Sequence, residues 1–124
     1  MLWPRTSPDR KKVAYLWNPG GGKTVVQVVR LADGAVVTVS HALVTPVGWS
    51  ADSRTLFLSG GRFLADTYEV LAVPATGGKT TILGTFPPDV ELLDVTPDGQ
   101  SAILNRHEGR SDAWLIQFSA ARRD

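Results

Sequence analysis

The sequence predicts an all-β chain assembled from one repeated unit, and three observations support this prediction. Short apolar stretches separated by Gly, Pro, Asp and Ser fill the chain, whereas helix signals are nearly absent. A Ser/Thr-x-Asp turn motif occurs three times, beginning at Ser7, Ser50 and Thr96. A strand motif also occurs three times, beginning at Val26, Tyr68 and Trp114. Because both motifs recur at nearly one interval, they belong to the same unit.

The candidate strands are stretches rich in β-branched and aromatic residues, each bounded by turn residues. They cover residues 2–6, 13–17, 24–31, 36–39, 44–49, 55–59, 67–73, 80–83, 90–95, 102–105 and 113–118. Grouped by the repeat, they form units at about 2–40, 43–84 and 89–118. The third unit has no candidate for an outer strand.

Each turn motif has a physical reason. The aspartate side chain accepts hydrogen bonds from neighbouring amides, and the residue after it takes a positive φ. Ser7 and Ser50 lie 43 residues apart, and Thr96 follows Ser50 by 46 residues. A period of roughly 40 to 45 residues with about four short strands is typical of a β-propeller blade. The sequence therefore predicts a propeller segment of three blades, the last lacking its outer strand.

A glycine-lysine stretch, "NPGGGKTVVQVV" at residues 18–29, imitates a phosphate-binding loop. That loop requires a glycine five residues before Gly22, where Trp17 stands, and must open a helix. The residues after Lys23 are instead β-branched and predict a strand. A second glycine pair at Gly77 also leads into a strand-like stretch. Both stretches are interpreted as hairpin connections.

The stretches "TSPDRKKVAYL", "WSADSRTLFLS" and "TPDGQSAILNR", followed by "VVRLADG" and "VPATGG", resemble the repeats of TolB-like propellers. Trp49 matches the tryptophan that often opens this repeat, whereas Thr6 and Val95 depart from it. The resemblance covers essentially the whole chain. It implies a role in protein–protein interaction within an assembly, and a periplasmic or extracellular location.

Composition limits the partners. The chain has 124 residues, a formal charge of +1 and no cysteine, which excludes disulfides and thiolate metal sites. No long block of one charge favours nucleic acid or a membrane surface, and no apolar run is long enough to span a bilayer. The N-terminus lacks signal-peptide anatomy, so we expect a cytoplasmic protein or a piece of a longer chain.

Propellers typically close with four to eight blades, so a three-bladed arc needs completion. Apolar residues at 25–26, 28–29 and 114–116 are expected on the faces left exposed. A second copy could complete a six-bladed ring, the chain could be the C-terminal piece of a longer propeller, or it could be a fused or designed segment. We favour pairing of two copies.

The residues that could be catalytic are better explained by structural roles in loops and turns. His41 and His107 have no metal-ligand spacing, and we interpret both as loop residues flanking strands. The serines at 7, 50 and 53 lack a nucleophile elbow. The aspartates at 9, 52 and 98 share one repeat position, which predicts turn capping. We therefore predict no catalytic residue, metal site or cofactor.

Arg5, Glu91 and Asp94 are the candidate ligand-binding residues, because inner strands and their loops converge at a propeller channel. Arg5, Gly48 and Asp94 are repeat equivalents. An Arg5–Asp94 ion pair between blades is the plain structural interpretation. A polar channel site for a small ligand or cation is the functional one.

Aromatic residues divide into two groups. Packing between blades is predicted for Trp17, Trp49, Phe57, Tyr68 and Trp114. Phe63 and Phe86 fall in longer predicted connections, where each could anchor a protein or peptide partner or pack over a blade edge. The function expected from the whole sequence is a non-catalytic binding or scaffold module. The alternatives are an accessory propeller of a hydrolase or peptidase, and a half-propeller without a ligand.

Overall fold

The computed structural model describes residues 2–20, 23–40, 44–61, 68–86, 90–107 and 111–117, which form eleven strands in three antiparallel sheets. Blade 1 contains β1 (Leu2–Thr6), β2 (Lys12–Gly20), β3 (Lys23–Arg30) and β4 (Val36–Ser40). Blade 2 contains β5 (Val44–Trp49), β6 (Thr55–Gly61), β7 (Tyr68–Pro74) and β8 (Thr81–Phe86). Blade 3 contains β9 (Val90–Val95), β10 (Ser101–His107) and β11 (Ser111–Gln117).

Every blade is a meander in which sequential strands pair, as the repeat predicts. The chain is therefore all-β and has the architecture of a propeller segment, which confirms the predicted fold class. Its sheets remain open, and the described part of the third sheet has three strands. No helix in the described ranges is long and apolar enough to cross a membrane.

The first strands of the blades lie side by side. Strand β5 contacts both β1 and β9, so these three strands form the inner edge of the arc. The Ser/Thr-x-Asp turns follow directly after these strands, at residues 7–10, 50–53 and 96–99. Turn residues and inner strands of neighbouring blades are consequently brought together at one end of the arc.

Two apolar clusters join the blades. Between blades 1 and 2, Ala14, Leu16, Val26 and Val28 pack with a set from blade 2 that includes Trp49, Leu56 and Val73. Between blades 2 and 3, the buried residues are Phe57, Val70, Phe86, Val95 and Leu104. Val26 and Val28, expected on an exposed face, are thus buried, while Val25 and Val29 are half-buried. The side chains at 114–116 lie outside the described residues.

The aromatic predictions have mixed outcomes. Trp49 and Phe57 are buried between blades, as predicted. Trp17 and Tyr68 are 41% and 37% exposed, so the described blades do not bury them, and their packing between blades stays a prediction. Phe86 is not a loop residue: it ends β8, is 4% exposed and stacks edge-on against the Tyr68 ring at 5.6 Å. Phe63 and the side chain of Trp114 lie outside the described residues.

The glycine-lysine stretches connect strands. Lys23 begins β3, and Gly20, with a φ of 110°, ends β2. At the second stretch, the Gly77 N–H donates to the Pro74 carbonyl at 2.9 Å, and Gly77 has a φ of 88°. The described strand after each stretch provides no helix N-terminus for a phosphate, in agreement with the hairpin interpretation.

Candidate functional site

The turn after β1 is closed by its own side chains. The Ser7 hydroxyl donates to Asp9 Oδ1 at 2.6 Å, and the Lys11 N–H donates to the same oxygen at 2.9 Å. The Lys12 N–H donates to Ser7 Oγ at 3.1 Å. Because these bonds favour the ionised carboxylate, with the Ser7 hydroxyl contributing most, they hold the pKa of Asp9 below its usual 3.8.

The other two turns repeat this network. In blade 2 the Ser50 hydroxyl donates to Asp52 Oδ1 at 2.6 Å, and in blade 3 the Thr96 hydroxyl donates to Asp98 Oδ1 at 2.7 Å. The pKa of Asp52 is lowered chiefly by Ser50, and that of Asp98 chiefly by the Gln100 N–H. The three aspartates therefore cap turns, as their common repeat position predicts.

The fourth turn position adopts a left-handed conformation in every blade. Its φ is 60° at Arg10, 62° at Ser53 and 71° at Gly99. A residue other than glycine pays a steric cost there. Ser53 is nevertheless almost fully buried, which indicates that its side chain has a specific contact.

That contact is part of the junction between blades 1 and 2. The Asp9 N–H donates to Ser53 Oγ at 3.1 Å, so the fourth turn position of blade 2 touches the third position of blade 1. The Trp49 Nε1–H donates to the Arg5 carbonyl at 2.8 Å. The Lys12 ammonium lies 5.9 Å from the centre of the Trp49 ring. The end of β5 is thereby fixed to the end of β1.

The junction between blades 2 and 3 uses a different set of contacts. The Ala51 N–H donates to the Pro97 carbonyl at 3.1 Å. A Cβ placed on Gly99 would lie 3.3 Å from the nearest ring carbon of Phe57, so glycine gives the ring room. The same two turns border an open groove of about 500 Å³, lined by Phe57 and Gly99 among others.

An open pocket of about 330 Å³ lies where the three inner strands meet. Exposed Arg5 of β1 and exposed Asp94 of β9 line it, together with Gly48 and Trp49 of β5. A Cβ on Gly48 would lie 2.9 Å from Asp94 Oδ1, so the Asp94 carboxylate leans over β5. The structure thus brings two of the three predicted channel residues to one pocket, with a strand between them.

The predicted ion pair between Arg5 and Asp94 is not formed. In the part of the chain that the structure describes, the ion pair within 4.0 Å is Arg30–Asp33, at 2.9 Å. Asp94 Oδ1 instead accepts the Val95 N–H at 2.8 Å. Glu91 lies in β9 opposite Asn105, with its side chain outside the described part.

Sequence reasoning missed the roles of Gly48 and Ser53. The aligned repeats contained both signals. Gly48 has no side chain, although its repeat equivalents are the charged residues Arg5 and Asp94. Ser53 occupies a turn position that glycine suits better. His107 is the last residue of β10 rather than a loop residue, and His41 lies outside the described ranges. Among the residues described, His, Asp and Glu form no cluster of three that could hold a metal.

Antiparallel meanders packed around a shared inner edge define a β-propeller arc. Its structure is TolB-like. TolB from Acinetobacter baumannii is similar at a TM-score of 0.72 and 19% identity, over 96% of this chain and 30% of that one. A putative TolB from Agrobacterium tumefaciens is similar at 0.67 and 21% identity, over 90% and 40%.

The β-propeller domain of the Trilobed protease from Pyrococcus furiosus is also similar, at a TM-score of 0.66 and 12% identity, over 93% of this chain and 38% of that one. The chain thus spans 30% to 40% of the length of these three structures. No protein-family model matches the chain, and no curated protein matches its sequence.

Proposed function

We propose that this chain is a non-catalytic β-propeller binding module that completes a ring with a second copy. The pocket between the inner strands carries the proposal, because Arg5 and Asp94 present opposite charges there and Gly48 places no side chain between them. Such convergent polar groups in a concave site are typical of ligand binding. Glu91, also on β9, is assigned to the same channel.

The ligand is proposed to be a small charged molecule or a segment of a protein partner that enters the channel mouth. The rigid blades hold the loops, so recognition needs little rearrangement. Among the predicted partner-binding aromatics, Phe86 is withdrawn because it is buried, and Phe63 stays a proposal. A periplasmic or extracellular location is proposed from the TolB-like repeats.

Two measurements test this function. Light scattering during size-exclusion chromatography gives the mass, for which we expect a dimer. Calorimetry with CaCl₂ and fluorescence polarisation with a labelled pool of random decapeptides then probe the pocket. The Gly48→Gln variant adds a side chain to the pocket without changing its charge, and its Cβ would lie 2.9 Å from Asp94 Oδ1, so it should abolish binding of whichever probe binds. Equal binding by this variant, or no binding of either probe, would overturn the channel site.

An accessory propeller of a peptidase is the second candidate, favoured by similarity to the propeller domain of the Trilobed protease and to acylaminoacyl peptidase structures. In that arrangement the missing blades belong to the same longer chain, and the segment does not self-associate. A monomer at every concentration tested would support this candidate over self-completion.

A further inference from the structure

We propose that Arg5 and Arg10 of one copy pair with Asp94 and Asp98 of a second copy, where blade 1 of the first meets blade 3 of the second. The proposal rests on the self-completed ring of the proposed function and names the charged groups at its two closing junctions. Each pairing follows from a contact that the blades make within the chain.

The inner-strand pairing follows from Asp94. Its carboxylate leans over Gly48, the equivalent position of the preceding blade, where a Cβ would be 2.9 Å from Oδ1. Arg5 occupies the same repeat position in blade 1. When blade 3 of a second copy precedes blade 1, Arg5 therefore leans over Asp94 of that copy.

The turn pairing follows from Ser53, whose hydroxyl accepts the Asp9 N–H. At the junction between blades 1 and 2, the fourth turn position of one blade thus touches the backbone of the third position of the blade before it. Arg10 is the fourth position of blade 1, and Asp98 is the third position of blade 3. The same geometry at the closing junction brings Arg10 to Asp98 of the second copy.

Two independent equivalences therefore each place an arginine against an aspartate. All four side chains are exposed, and the ion pair found among the described residues is a different one, Arg30–Asp33. Opposite charges at matching positions steer association and fix which faces meet. Blade 2 explains why Arg5 and Asp94 do not pair within one chain, since β5 lies between them.

The free face of blade 1 is suited to a protein surface. Strand alternation places Val25 and Val29 opposite to Val26 and Val28, which face blade 2. The strand register puts Trp17 next to Val25 and Val36 next to Val29 on that free face. Trp17 and Val36 are exposed, so an apolar surface accompanies the two arginines. A second propeller blade is the occupant that both features fit.

Two single substitutions with exchanged charges test the pairing. Arg5→Asp and Asp94→Arg each put like charges at both closing junctions, and should weaken the dimer by at least about 100-fold. An equimolar mixture of the two variants restores opposite charges at both junctions, so the dimer mass should return. Arg10→Asp should also weaken the dimer, by repulsion from Asp98. Arg54→Asp, an exposed charge reversal on blade 2, is the matched control and should leave the mass unchanged.

Circular dichroism verifies that each variant is folded before its mass is measured, and the dimer should weaken as salt is raised. A wild-type dimer that both Arg5→Asp and Asp94→Arg leave intact would overturn these pairings while keeping the self-completed ring. A monomeric wild type would overturn the ring and the pairings together. Variants that are folded monomers separately but a dimer when mixed would establish the pairing.

Discussion

The junction between blades 1 and 2 and the junction between blades 2 and 3 use equivalent positions with different chemistry. In the first, side chains form hydrogen bonds across the blades, from Trp49 to the Arg5 carbonyl and from the Asp9 amide to Ser53. In the second, the described hydrogen bond joins backbone atoms of Ala51 and Pro97. The rest of that contact is the apolar cluster around Phe57.

The large and the small side chain of each junction stand at opposite repeat positions in the two junctions. Ala14 and Phe57 are repeat equivalents, as are Trp49 and Val95. The first junction combines small Ala14 with large Trp49, and the second combines large Phe57 with small Val95. Because interiors are close-packed, a large residue on one blade requires a small one on the facing blade. Neighbouring blades are therefore matched to each other in pairs, not built to one template.

The largest expected effect is at the first junction. Trp49→Ala removes a buried indole and its hydrogen bond to Arg5, and should lower the free energy of unfolding by about 3–5 kcal/mol. Urea unfolding measures the change. Ile82→Ala, at a 44% exposed side chain on the outer strand of blade 2, is the control and should cost less than about 1 kcal/mol. Equal losses in the two variants would contradict the assignment of Trp49 to the junction.

Gly99→Ser gives the turn of blade 3 the serine that occupies the same position, Ser53, in blade 2. A side chain there adopts a left-handed φ and meets the Phe57 ring, so we expect a loss of about 2–4 kcal/mol. Adding Phe57→Ala should make the two substitutions non-additive, since the crowding disappears. A double-mutant cycle by urea unfolding measures this coupling, and simple additivity would contradict volume matching.

Ser53→Ala should have a smaller effect, about 1–3 kcal/mol, because it leaves the part-buried Asp9 amide without its acceptor. Ser53→Gly loses the same bond but relieves the positive φ of 62°, so it should be less destabilising than alanine by about 1 kcal/mol. The comparison requires only two urea curves. If glycine is the worse substitution, conformational strain does not matter at this position.

The smallest expected effect is a pH dependence shared by the turns. The folded pKa values of Asp9 and Asp98 lie below 3.8, so the unfolded chain binds protons more readily and stability falls as pH decreases from 3.8 through the folded values. Asp9→Asn and Asp98→Asn should each flatten this decline in urea midpoints between about pH 6 and pH 2.5. Similar flattening is expected, since the turns are alike although their junctions differ. Unequal flattening would show that a junction contributes to the effect.

The repeat predicted the fold because local chemistry determines it. The Ser/Thr-x-Asp turns stabilise themselves through bonds spanning at most five residues, so Asp9, Asp52 and Asp98 could be assigned from sequence. Strand pairing followed from sequence order. Burial of Trp49 and Phe57 followed from their place inside strands.

The surroundings of individual side chains depend on the neighbouring strands and blades, which the spacing of residues along the sequence does not reveal. Phe86 was predicted in a connection because the candidate strand before it ended at Leu83, yet β8 continues to Phe86 and brings its ring to Tyr68. Trp17 occupies a strand near the end of its hairpin, where no neighbouring blade covers it within the described chain. The Arg5–Asp94 ion pair was predicted from equivalence alone, which does not include the intervening blade.

The self-contained turns have a consequence for how such chains diversify. Because hydroxyl and aspartate bonds hold each turn, its fourth position can carry Arg10, Ser53 or Gly99 without changing the local path. After gene duplication, mutations at this position can therefore alter which blade is accepted as a neighbour while every copy still folds its own turn. A duplicated blade can in this way acquire a preferred neighbour, and a ring can acquire a fixed order of blades.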